Sequence, residues 1–184
     1  MIVPVLFFLI LFKLRPIFHI LSCMEQISRE STLWNYLTPE VRDLVEDGEV
    51  LLTFVEKYQD QETISDYSFV VFSFAKAYEG FCKKFFLDLD AITMDEYYGD
   101  DIRIGRMLSP NNLKAADGIM HKVCAKLPGG EDLAQKMSKS WKQGRNLVFH
   151  YFPHNYRRLT YNEALELVEG FISTMTLCVD RCGL

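Results

Sequence analysis

With 184 residues, nearly half of them apolar, and a formal charge of -5, the chain is long enough to bury one core and too acidic to coat nucleic acid over its whole surface. An aromatic share of 14% excludes a disordered polyelectrolyte. The five cysteines, Cys23, Cys82, Cys124, Cys178 and Cys182, form no CxxC pair and have no histidine at zinc spacing, so no metal or cofactor is expected and reduced thiols in a cytoplasmic protein fit best.

Residues 1–23 stand apart from the rest. Ile2 to Phe12 is apolar except for Pro4, and Lys13, Arg15 and Pro16 then interrupt it before Ile17 to Leu21. Eleven residues are too few to cross a bilayer, which needs roughly 20. A signal peptide would carry its positive charge before the apolar run, and here it follows. Three readings stay open: a weak membrane anchor, an apolar helix docked on the domain, or an extension from a misplaced start. Met24-Glu25-Gln26 reads like a natural beginning, so one domain is expected over 24–184 with the extension before it.

Helical signals dominate the remainder. Thr38-Pro39-Glu40 places a cap, a proline at the first helical position and an acidic first turn, and apolar residues recur at helical spacing over 39–58, with Gly48 weakening the middle. Asp66 is a candidate cap for a helix over about 67–89 that is apolar nearly all round, as a central bundle helix should be. Residues 95–101 read as a loop, 102–108 as a short helix and about 112–127 as another, stopping at Pro128-Gly129-Gly130. A further helix over about 131–151 has acidic residues at its start and basic ones later, which complements the helix dipole. Thr160-Tyr161-Asn162-Glu163 is a capping-box pattern that opens a last helix to about Cys182. The expected architecture is an all-α bundle with a short inserted middle section.

The charge is unevenly distributed. Residues 133–162 hold Lys136, Lys139, Lys142, Arg145, Arg157 and Arg158 with no carboxylate, so the rest of the chain carries -11. Lys136, Lys139, Lys142 and Arg145 recur every third residue, and such a row drifts by about 60° per step, giving a slanting basic ridge. Asn146 and His150 are four apart and would share a face, while Arg145 lies about 140° from His150 on an ideal helix and would converge with it through its long side chain. An imidazole can move the proton of a ribose 2′-OH or of a leaving oxygen, and a guanidinium can bind a phosphate bidentately. Together they suit metal-independent RNA cleavage. The plainer alternative is a solvated basic helix face.

Arg145-Asn146-Leu147-Val148-Phe149-His150 resembles the R-x4–6-H motif of HEPN ribonucleases in its RNxxxH form, late in a helix before the last helix of an all-α bundle. Asp66-Tyr67-Ser68-Phe69, Phe74 to Phe81, and Tyr97-Tyr98 through Ile102-Arg103-Ile104-Gly105 are similar to the antitoxin-binding HEPN domain of the RnlA/LsoA (RNase LS) toxins, and the likeness spans about residues 35–182. The resemblance implies an endoribonuclease of toxin–antitoxin or anti-phage type, with RNA as substrate, a homodimer that pairs two motifs, and a protein antitoxin as partner. It implies His150 as general acid/base, Arg145 as phosphate binder and Asn146 as a residue that orients the site. It also matches Glu79 to an acidic position that orients the imidazole or holds Arg145, although an ordinary pair of Glu79 with Lys83 remains the simpler alternative. His154 is either a second proton carrier or a loop histidine. Lys136, Lys139, Lys142, Arg157 and Arg158 would contact phosphates. A non-catalytic HEPN module for RNA or a protein is the competing function. Toxins of this type carry further N-terminal domains for which this chain has no room, so a stand-alone protein, a fragment or a member with altered RNA handling are the alternatives.

Overall fold

The computed structural model describes residues 26–58, 64–109, 111–112, 118, 121–123, 130–151, 153 and 157–184. Residues 1–23, Cys124, His154 and most of the helix expected at 112–127 lie outside these. Among the described residues the fold is an all-α bundle without strands. Its helices are α1 Thr32–Tyr36, α2 Pro39–Tyr58, α3 Ser68–Asp88, α4 Met94–Tyr98, α5 Ile104–Met107, α6 Gly130–Ser140, a π turn Trp141–Asn146 that leads into α7 Leu147–Phe149, and α8 Tyr161–Cys182.

The long helix α3 is the axis of the core. Phe74, Tyr78, Phe81, Phe85 and Phe86 are buried along it, packed chiefly by α2 on one side and α8 on the other. Burial of large aromatic side chains is the main stabilising term here, at roughly 1.5–3 kcal/mol for each. Gly48, which propensity alone marks as a weak point of α2, is where the two helices touch: a Cβ there would sit 2.5 Å from the Phe74 ring. The glycine is a packing device. Tyr78 donates its hydroxyl to the Met137 carbonyl at 3.1 Å, which ties α3 to α6 and satisfies the one polar atom that the ring buries.

The helix ends follow the expected chemistry with two differences. Thr160 and Glu163 form the anticipated capping box at the start of α8, and Gly183 closes that helix in the left-handed conformation at φ 65°. Residues 95–98, read from sequence as loop, are part of α4. Its capping box is Thr93 with Glu96, so the Thr-Met-Asp-Glu spacing outweighs the local polarity. Asp66 lies one residue further out than a cap: Tyr67 precedes the first turn of α3, and Asp66 accepts the Ser68 N–H at 3.0 Å and the Leu159 N–H at 3.1 Å. One carboxylate therefore fixes both the start of α3 and the approach to α8. At the other end of α3, Asp90 takes the left-handed conformation (φ 49°), and the N–H groups of Asp90 and Ala91 bond back to Leu87 and Phe86. That is a Schellman closure with aspartate where glycine is usual.

Candidate functional site

The basic helix is not a uniform α-helix. From Trp141 to Asn146 it winds as a π turn, with the Leu147 N–H bonded to the carbonyl of Lys142, five residues back. Two close contacts hold this segment. A Cβ on Gly144 would collide with the ring of Phe171 from α8, and a Cβ on Gly105 would lie 2.7 Å from the Trp141 indole nitrogen. Small residues therefore let the segment approach α8 at Gly144 and α5 through its own Trp141 ring. On the α8 side, the Ser140 and Thr174 hydroxyls meet at 2.8 Å, and Thr174 also donates to the Gly170 carbonyl at 2.8 Å.

The π turn revises the helical wheel drawn from the sequence. The helix was expected to run to about 151, with Asn146 and His150 on one face. It stops at Phe149, and His150 is extended at φ -104° and ψ 127°. The shared face is lost, because His150 has left the helix and Arg145 sits in a wider turn. What aligns instead is Trp141, Arg145 and Phe149. The guanidinium carbon lies 5.8 Å from the centre of the Trp141 ring and 5.4 Å from that of Phe149. Both distances are within cation–π range. Arg145 thus leans over the residue that immediately precedes His150.

Glu79, on α3, faces the same arginine. Its Oε2 lies 4.0 Å from the Arg145 Nε, with both side chains 35% exposed. Of the sequence alternatives, the pair with Arg145 is formed. At that distance and exposure it is worth at most about 1 kcal/mol, so the pair orients the guanidinium without locking it. Asn146 and His150 are exposed, and Tyr151 beside them is 73% exposed. Phe72 on α3, itself 56% exposed, meets Phe149 edge to face at 5.7 Å between ring centres.

The other basic residues divide into two groups. Lys139 and Lys142 are exposed and Lys136 half-buried along α6 and the π turn. Arg157 and Arg158 instead border the junction of α3 and α8. Burial pushes the Asp66 carboxyl up, but hydrogen bonds from Ser68 and the Leu159 N–H, with the nearby Arg158, outweigh this and hold it below its ordinary value. At Glu163 the hydrogen bonds from Thr160 do most of the lowering, and Arg157 adds to it. These two arginines therefore already act on carboxylates, whereas Lys139 and Lys142 face solvent.

Sequence reasoning passed over Trp141 and Phe149, although their spacing of four on either side of Arg145 was readable. It also passed over Gln135, Gln143 and Ser173, which line a groove between α6 and α8 and carry no sequence signature of a site. Among the described residues no cluster of histidine, cysteine and carboxylate could hold a metal ion, and no helix is long and apolar enough to cross a membrane. No family model matches the chain, and neither a curated protein nor a solved structure is similar to it.

Proposed function

We propose that the chain is a metal-independent endoribonuclease of toxin–antitoxin or anti-phage type, acting through Arg145, Asn146 and His150. The observation that carries this reading is the placement of Arg145: its guanidinium is oriented by two rings and by Glu79, yet remains one-third exposed beside the emerging His150. A phosphate could replace the long, weak contact to Glu79 at small cost and gain a bidentate partner. His150 would then take the proton of the ribose 2′-OH as its oxygen bonds to phosphorus, or give a proton to the 5′-oxygen as the P–O5′ bond breaks to leave a 2′,3′-cyclic phosphate, and Arg145 would stabilise the charge developing on the non-bridging phosphate oxygens. No step requires a metal. The resemblance to HEPN ribonucleases supports a homodimer with two such sites, and an antitoxin as the restraining partner.

A second reading, a non-catalytic module that binds a protein, draws on a different observation. Val50, Phe54, Phe69 and Phe72 are 65%, 60%, 40% and 56% exposed on α2 and α3, a large apolar display for two neighbouring helices.

The test is cleavage of a mixed RNA in EDTA by the full chain, with Arg145→Ala and His150→Ala beside it and helicity checked by circular dichroism. Wild type should cut, and loss of His150 should slow it about 10²–10⁴-fold with the fold intact. Cutting by His150→Ala at the wild-type rate would remove the catalytic assignment. No cutting by a folded wild type would favour the binding module.

A further inference from the structure

The groove between α6 and α8 has a volume of about 620 Å³ and is lined by charged, amide and hydroxyl side chains beside Gly170. Lys136 and Lys139 supply positive charge, Gln135 and Gln143 supply amides, and Asp132 and Ser173 stand among them. None of the two lysines and two glutamines is engaged in an ion pair or hydrogen bond with another described residue. Their polar ends are therefore available to a ligand, with no internal pair to break first. The groove floor, in contrast, is fixed by the Ser140–Thr174–Gly170 hydrogen bonds. At Gly170 a side chain would meet nothing within 4 Å, so the absence of one there is a source of open space. The π turn also contributes, because its slower winding leaves Gln143 more nearly above Lys139 than an α-helix would.

This combination matches one nucleotide unit. An ammonium takes a phosphate, an amide offers a donor and an acceptor together to a base edge, and a carboxylate accepts from an exocyclic amine. A bare anion would use only the lysines and would be repelled by Asp132. We propose that this groove is a nucleotide subsite for single-stranded RNA, with Lys136 and Lys139 on the backbone and Gln135, Gln143 and Asp132 on a base. The proposal rests on the ribonuclease reading for its choice of ligand, and it assigns to that enzyme a sequence-reading site separate from Arg145 and His150. A second, smaller hollow shares Gln135, Lys139 and Gln143 with the groove and adds Lys142 and Leu147. It extends the groove along the helix as far as Leu147.

The experiment measures binding of a labelled 2′-O-methyl RNA hexamer of mixed sequence, which lacks the 2′-OH needed for cleavage, to the full chain by fluorescence anisotropy. Gln143→Ala removes an amide at the base edge. Ser173→Trp, at an exposed position, fills the groove while leaving every lysine in place. Each should weaken binding about tenfold at constant salt, with helicity unchanged. Inorganic phosphate at equal ionic strength should compete poorly. Binding within twofold of wild type for both variants, no binding by wild type, or full competition by phosphate alone would each overturn the subsite. The two readings fail separately. Cleavage that depends on His150 together with unaffected hexamer binding removes only the groove, and groove-dependent binding by a protein that does not cut removes only the nuclease.

Discussion

Two arginine–glutamate pairs in this chain sit next to the same kind of joint and behave in opposite ways. Glu49 follows Gly48, which is pressed on Phe74; Arg145 follows Gly144, which is pressed on Phe171. Glu49 is 6% exposed and closes on Arg29 at 2.5 and 3.1 Å, and it also accepts the backbone N–H groups of Gln26 and Ile27. Both carboxylate oxygens are engaged, and the N-terminal stretch of the described chain is pinned to α2. Arg145 and Glu79 meet only at 4.0 Å and stay one-third exposed. The same two residue types hold a structure together in one place and leave a cation orientable in the other. What separates them is burial and the number of additional hydrogen bonds, neither of which is a property of the residues themselves.

Removing the acid of each pair should expose this difference most sharply. Glu49→Ala removes the acceptor of two backbone donors and the close partner of the Arg29 guanidinium, and should cost about 3 kcal/mol, at the low end for a broken buried pair because Arg29 keeps access to water, to the Ile27 carbonyl and to Glu46. Glu79→Ala should cost less than about 1 kcal/mol. Urea unfolding midpoints report both, and equal losses would abolish the distinction.

The glycines give the next largest effect. Alanine at Gly48 or Gly144 forces a ring aside, at about 1–3 kcal/mol each. The consequences should then diverge: measured where both variants remain folded, Gly144→Ala should lower RNA cleavage because the π turn carries Arg145, and Gly48→Ala should not. Equal cleavage by the two would mean that the turn geometry is irrelevant to the chemistry.

A smaller effect is expected at the junction of α3 and α8. Asp66→Ala removes the acceptor for Ser68 and Leu159 and should cost about 1 kcal/mol at neutral pH. The Asp66 carboxyl is held below its ordinary value in the folded state, so its contribution is complete above an unfolded pKa of about 3.9 and is lost as pH falls through the lower folded value. The gap between wild type and variant should therefore shrink as pH falls below about 4 and through the lower folded value. A gap of constant size across that range would show that shape, and not charge, accounts for the loss.

Much of this fold was legible in the order of residues. Thr38-Pro39 and Thr160-x-x-Glu163 mark helix starts because they supply hydrogen-bond partners to local N–H groups, a requirement met within four residues of chain. The all-round apolar character of α3 announced its central position, and its first two turns depart from this, with Phe69 and Phe72 facing outward. The candidate site was legible as a set of residue types at a spacing. Its geometry was not. Nothing local to Trp141–Asn146 requires a π turn; it appears where Gly144 meets a ring from α8 and Trp141 meets Gly105 in α5.

The sequence by itself determined the helical class, the starts of α2 and α8, the identity of the core helix and the concentration of positive charge around Arg145, since each depends on periodicity, capping or composition within a short stretch. Tertiary structure decided that His150 stands outside the helix, that Arg145 rests between two rings against Glu79, and that Lys136, Lys139, Gln135 and Gln143 border one groove. These depend on contacts between residues tens of positions apart, whose strength is set by mutual burial and fit.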